Sequence, residues 1–220
     1  MNIDFSKLSD QVRSFLEKES SGHDFYHCER VFKASLSIQK KEGGDEYVIG
    51  AAALVHDICR PWENKTGKSH FGMEALEIIR DVLVKSEISE QKIPKILEVV
   101  QLHDIYDWME KLKNKSLELQ VVQDADSLDA IGAIGIARTF AFGGSRGLSI
   151  YNPGENLSFV KDYVEDLNFS TSTIAHFYEK LLKLKDNMNT KTGKELAEYR
   201  HIIMTDFLDE FFAEWESKFK

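Results

Sequence analysis

Apolar residues recur at three- and four-residue intervals along most of the chain, and sustained alternation is rare. That pattern is the signature of amphipathic helices rather than strands. Residues 4–19 read as a polar amphipathic helix ended by Ser20, Ser21 and Gly22. A second helix over about 24–41 places Val31, Ala34 and Ile38 on one face and stops at Gly43 and Gly44. Asp45 is a good N-cap for a helix over 46–58, which should end before Pro61. Ser69 is expected to cap 70–85, and Ser89 to cap 90–104 with Pro94 in or near the first turn. The run 117–142 is small and apolar enough for a central helix, although its glycines are poor helix formers. Gly132 and Gly135 would let neighbouring helices approach closely. Residues 143–154 form a loop by composition. Helices resume over about 156–166, 171–187 and 193–218, the last carrying Leu208, Phe211, Phe212 and Trp215. No repeat, low-complexity tract or linker interrupts the pattern, so the expected architecture is a single all-α domain over 1–220.

The totals narrow the classes of function. A chain of 220 residues with 42% hydrophobic content suits one domain with a real core. A formal charge of -9 argues against a nucleic-acid polymer as partner, because such binding neutralises many phosphates at once. A small phosphorylated ligand remains open, since one pocket can be positive on an acidic protein. No apolar run is long enough to cross a bilayer, and the first ten residues lack the blocks of a signal peptide. Two cysteines, Cys28 and Cys59, are too few for a disulfide framework, so a cytoplasmic location is expected.

The chemistry concentrates in His27, His56, Asp57 and Asp126, on three separate predicted helices. Histidine with carboxylate suits a borderline divalent ion. Adjacent helical residues point about 100° apart, so His56 and Asp57 could converge only on an ion between their directions. Three blocks give these residues a frame: H-x-x-R-V at 27–31, H-D at 56–57 and D-A-D-x-L-D-A at 124–130. Together they resemble the HD-domain metal-dependent phosphohydrolase superfamily, an HD-type helical bundle with a metal site in its core. Longer stretches, at 22–31, 55–60, 121–140, 176–186 and 188–200, look like the small bacterial YpgQ/YedJ-type hydrolases within it. The motif-bearing core spans about 22–142, with a C-terminal helical part at about 156–218.

The resemblance implies His27, His56, Asp57 and Asp126 as ligands of one divalent ion, which could be Mn, Ni, Co, Fe, Mg or Zn. It implies hydrolysis of phosphoester or phosphoanhydride bonds in a small substrate such as a nucleotide, and this branch includes nucleoside triphosphate pyrophosphohydrolases. Gln120 and Ser127 depart from the pattern where a basic residue is expected. The same site could serve a nucleotide phosphomonoesterase or phosphodiesterase, and the fold could also act as a non-catalytic nucleotide-binding scaffold.

Other residues have weaker cases. Arg60 lies one turn past His56 and is expected to face the substrate. His23, His70 and His103, near predicted helix ends, could donate to phosphate or hold a second ion, or serve simply as caps. Arg30, at i+3 from His27, could orient its helix or pair with a carboxylate. Asp129 could hold a histidine ligand from behind. Lys180 and Lys183 are phosphate candidates whose blander reading is a solvated helix face. Asp104 makes a second H-D pair with His103, a warning against reading dipeptides alone. The aromatic row Phe211, Phe212, Trp215 and Phe219 is core or contact surface, and a homodimer face is one use for it.

Overall fold

The computed structural model describes residues 3–19, 22–110, 112–157 and 171–218. Among these residues the chain is helical, with no strand. It falls into two compact units, residues 1–126 and 127–220. The expected helix over 156–166 lies almost wholly outside the described residues, as does Phe219.

The first unit is built around a helix that water does not touch. Helices α1 (Ser6–Leu16), α2 (Phe25–Glu42) and α3 (Glu46–Val55) follow one another, and every residue of α3 from Val48 to Val55 is buried. A helix that is apolar all round can be stable only inside. Helices α1, α2 and α6 (Ile93–Leu102) pack on it. Gly50 allows the tightest approach: a Cβ there would lie 2.7 Å from Cζ of Phe5. Asp45 caps α3 as expected, its Oδ1 accepting from the backbone N–H groups of Tyr47 and Val48. The central position expected of 117–142 is therefore taken in this unit by α3.

Three boundaries differ from the sequence reading. Pro61 starts a helix rather than only stopping one: α4 (Arg60–Thr66) carries it in the first turn, where its missing N–H costs nothing. Helix α5 (Met73–Lys85) begins after Gly72, while the Ser69 hydroxyl only accepts weakly from Phe71 N–H at 3.4 Å. Helix α6 begins at Ile93 with Pro94 in its first turn, and Ser89 supplies its carbonyl, not its hydroxyl, to Lys92 N–H and Ile93 N–H.

The predicted helix over 117–142 is two helices, α7 (Leu117–Asp129) and α8 (Gly132–Ser145). Gly132 breaks them with a φ of 74°, a backbone state that costs other residues about 1–2 kcal/mol. A Cβ on it would sit 3.0 Å from Cβ of Arg200. The boundary between the units falls inside α7, after Asp126. In the second unit, α8, α9 (Thr173–Glu179), a 3-10 helix (Leu181–Asn187) and α10 (Lys191–Trp215) pack together. Phe140, Phe177, Phe207 and Phe211 form its aromatic row. The expected helix over 171–187 is thus divided at Lys180. No helix among the described residues is long and apolar enough to cross a membrane.

Gly132→Ala is expected to cost more than about 1 kcal/mol, from the positive φ and the Arg200 contact. Gly144→Ala, inside α8 with nothing within 4 Å of its Cβ, should be neutral or stabilising by up to about 1 kcal/mol. Urea denaturation midpoints separate the two, and equal losses would contradict this account of the α7–α8 break.

Candidate metal centre

Six side chains from separate stretches of the first unit converge on one buried place. His27 enters from the first turn of α2, where the Asp24 carboxylate accepts from its backbone N–H at 2.9 Å and fixes the helix start. His56 and Asp57 lie in the turn after α3, not inside a helix running to residue 58. The turn is tightened by Ile58 N–H on Val55 O and Arg60 N–H on Asp57 O. Asp126 comes from α7. His103 closes the C-terminus of α6, and His70 arrives on the stretch between α4 and α5.

The distances are those of a coordination shell. His27 Nε2 is 3.0 Å from His56 Nε2, and 3.4 Å from both Asp57 Oδ2 and Asp126 Oδ1. His56 Nε2 is 3.6 Å from Asp57 Oδ2 and 3.7 Å from Asp126 Oδ1. Donors about 2.1 Å from one ion, at octahedral or tetrahedral angles, lie about 3.0–3.4 Å from each other. His27 and His56 are fully buried and Asp57 is 2% exposed, while the Asp126 side chain is 16% exposed. The His56 Nδ1–H donates to Ala53 O at 2.9 Å, which leaves Nε2 to face the cluster with a lone pair. Burial, only partly offset by Asp57 and Asp126, pulls the His56 pKa down to about 4 and keeps that ring neutral.

A second group shares Asp57. Its Oδ1 is 3.4 Å from His70 Nε2 and 3.8 Å from His103 Nε2. Both nitrogens are buried without a hydrogen-bond partner. Such orphaned atoms in a dry place call for a cation or a ligand. Asp57, His70 and His103 are close enough to hold an ion as a set of three, as are His27, His56 and Asp57. The residues present therefore fit a divalent metal.

Arg60 stands behind the aspartate. Its Nε donates to Asp57 Oδ1 at 3.0 Å, Nη1 to Glu63 Oε2 at 3.2 Å and Nη2 to Asp104 Oδ2 at 3.1 Å. Burial alone would raise the Asp57 pKa, but Arg60 and then His56 outweigh it and hold the carboxyl well below the usual range. Glu63 also binds His70, and Asp104 neighbours His103, so this arginine ties together the backs of three site residues. Glu63 sits in no motif, and its i+3 spacing from Arg60 is the available sequence signal for it. The role of Asp104 is hidden in the sequence, because its pairing with Arg60 spans 44 residues.

The remaining candidates are more dispersed. His23 is half-buried, its ring edge-on to His27 with centroids 5.6 Å apart. Arg30 is half-buried on α2. Asp129 belongs to the second unit and accepts from Arg138 Nη1 at 3.0 Å. Lys180 and Lys183, also in that unit, flank the start of the 3-10 helix and are half-buried rather than solvated. Gln120 donates to Lys115 O, and Ser127 is buried.

Residues 24–131 match the profile of the HD domain family, a span that holds His27, His56, Asp57 and Asp126. The chain belongs to that family and is a metal-dependent hydrolase of the HD superfamily. It is 36% identical to the Bacillus subtilis protein YpgQ over 198 residues, covering 90% of this chain and 86% of that one. A crystal structure of YpgQ in complex with ADP superposes with a TM-score of 0.68 at 32% identity, over 94% of this chain and 97% of that one. A protein from Lactobacillus plantarum superposes with a TM-score of 0.81 at 31% identity, over 97% of both chains. An HD-superfamily hydrolase from Bacillus thuringiensis gives 0.71 at 37% identity, again over 97% of both.

Because the folded pKa of Asp57 lies below its unfolded value, its contribution to stability is full above about pH 4 and is lost as acid protonates it. In chelator-treated protein, Arg60→Leu is expected to cost about 3–5 kcal/mol at pH 7, since it leaves buried carboxylates unpaired. The deficit should shrink as pH falls and those carboxylates take up protons. A deficit that stays the same in denaturation curves from pH 7 to pH 4 would contradict the network described.

Proposed function

We propose that the protein hydrolyses nucleoside triphosphates, deoxy or ribo, to the monophosphate and pyrophosphate. The observation that carries this reading is the buried set His27, His56, Asp57 and Asp126, with Asp126 at its open edge. The nucleotide class is supported by YpgQ, which was crystallised with ADP and resembles this chain along nearly its whole length.

His27, His56, Asp57 and Asp126 would hold one divalent ion, of the Mn, Fe, Co, Ni, Zn or Mg group. Such an ion, when bound, lowers the pKa of a water and polarises a phosphoryl oxygen. The chain's own residues supply the rest. Arg60 keeps Asp57 ionised and its carboxylate oriented, so that Oδ2 faces His27 and His56. His103 is a ready donor to a phosphate oxygen. Burial works against its charge, but the closeness of Asp57 and Asp104, with Asp126 beyond, pushes its pKa up to about 9. At 3.8 Å the Asp57 contact is a charge attraction rather than a hydrogen bond, so Nε2–H stays available to a substrate. A charge-assisted donor of this kind is strongest where charge accumulates on the transferring phosphoryl group. His23, beside His27, and Arg30, one turn further along α2, are the next contacts for the substrate.

Purified protein loaded in turn with each divalent metal, incubated with a nucleotide panel and analysed for products, tests this. Monophosphate and pyrophosphate are expected, with activity reduced on the order of 10³-fold or more by Asp57→Ala. Orthophosphate as sole product would point instead to a phosphomonoesterase, and absence of turnover with every metal would defeat the hydrolytic reading of this substrate class.

A further inference from the structure

His56 and His103 are oriented in the same way: each places Nδ1 against the carbonyl of the residue three positions back, Ala53 O at 2.9 Å and Val100 O at 2.6 Å. A helix end provides that acceptor automatically. His70 lies on the stretch between α4 and α5, with no preceding helical turn, yet its ring is fully buried. Glu63 supplies the acceptor instead. Its Oε1 accepts from the His70 backbone N–H at 3.1 Å and lies 3.1 Å from Nδ1. Its Oε2 is held by Arg60 Nη1 at 3.2 Å, and Arg60 holds Asp57 Oδ1. The chain of contacts closes on itself, because His70 Nε2 returns to within 3.4 Å of Asp57 Oδ1.

An ionised carboxylate oxygen can only accept, and only Nδ1 makes a hydrogen bond to one, Glu63 Oε1 at 3.1 Å. Nε2 lies 3.4 Å from Asp57 Oδ1 without bonding it; Nδ1 therefore carries the hydrogen. In a neutral imidazole the other nitrogen then has a lone pair. We propose that Glu63 is a positioning residue that locks His70 in the Nδ1–H tautomer, so that His70 offers an acceptor to the Asp57 and His103 side of the centre. In that state Nε2 can take a cation or a water proton and cannot donate to a phosphate. Its buried, unpartnered Nε2 is the second observation pointing the same way. His70 and His103 thereby have opposite roles, although both are buried histidines beside one aspartate. The functional consequence rests on the metal-centre reading; the tautomer does not.

The test is a long-range proton–nitrogen NMR correlation on ¹⁵N-labelled, chelator-treated protein at pH 8, with the His70 signals assigned by their loss in His70→Asn. The wild type should show His70 protonated on Nδ1 and bare on Nε2. In Glu63→Ala the proton should move to Nε2 in most molecules. Glu63→Met keeps the volume without a carboxylate and guards against a folding loss in the alanine variant, with circular dichroism as the check. A wild-type His70 protonated on Nε2 overturns the proposal, and so does either folded variant that keeps the Nδ1–H form. The readout uses neither metal nor substrate, so a protein that cleaves no nucleotide would leave this result standing, and a failed tautomer assignment would leave the hydrolytic reading untouched.

Discussion

The structure of the first unit turns on one buried carboxylate. Asp57 is 2% exposed, and an ionised group in such a place is strongly disfavoured unless something of opposite charge answers it. Arg60 answers from behind through Oδ1. In front, Oδ2 meets the nitrogens of His27 and His56, and Oδ1 also meets His70 and His103. Each of those side chains is brought in by a different element, so satisfying Asp57 requires α2, the α3–α4 turn, the approach to α5 and the end of α6 to be in register. The fully apolar α3 makes this possible, since it delivers the His56–Asp57 turn to the interior.

One arginine compensating three carboxylates leaves the set negatively charged overall. Arg60 is shared among Asp57, Glu63 and Asp104, and Asp126 adds a fourth acid at the edge. His103, its pKa raised to about 9, adds one positive charge, but a neutral imidazole such as His56 adds none, so the set stays negative. A divalent cation balances that charge, and the spacing of the lone pairs matches one. Stability and chemistry are thus linked at this point: the groups that would activate a phosphoryl centre are the same groups whose burial costs most without the ion.

Much of this was readable before folding. The three-to-four-residue period marked most helices, and the Asp45 cap lay where the residue type demanded it. His27, the His56–Asp57 pair and Asp126 stood out because each sits in a recognisable frame, and the structure brings the two histidine nitrogens within 4 Å of each other and of both carboxylates. What escaped was conformational or long-range. Pro61 has the same letter whether it ends a helix or starts one, and only the turn before it decides. Gly132 looks like any helix glycine until Arg200 crowds it and its φ turns positive. Arg60, expected to face a substrate, instead donates to three acids at i−3, i+3 and 44 positions away, and the last cannot be inferred from spacing. Glu63 carried no motif of its own.

A divalent cation at this cluster is the feature on which everything else depends most directly. Thermal unfolding of chelator-treated protein, repeated over a series of Mn, Fe, Co, Ni, Zn and Mg concentrations, measures its binding. A cation that binds only the folded chain stabilises it by about 2.7 kcal/mol at a hundred times its Kd. The expected result is a concentration-dependent rise in Tm with at least one of these ions, abolished in His27→Ala. No rise with any of the six ions, or an undiminished rise in His27→Ala, would contradict it.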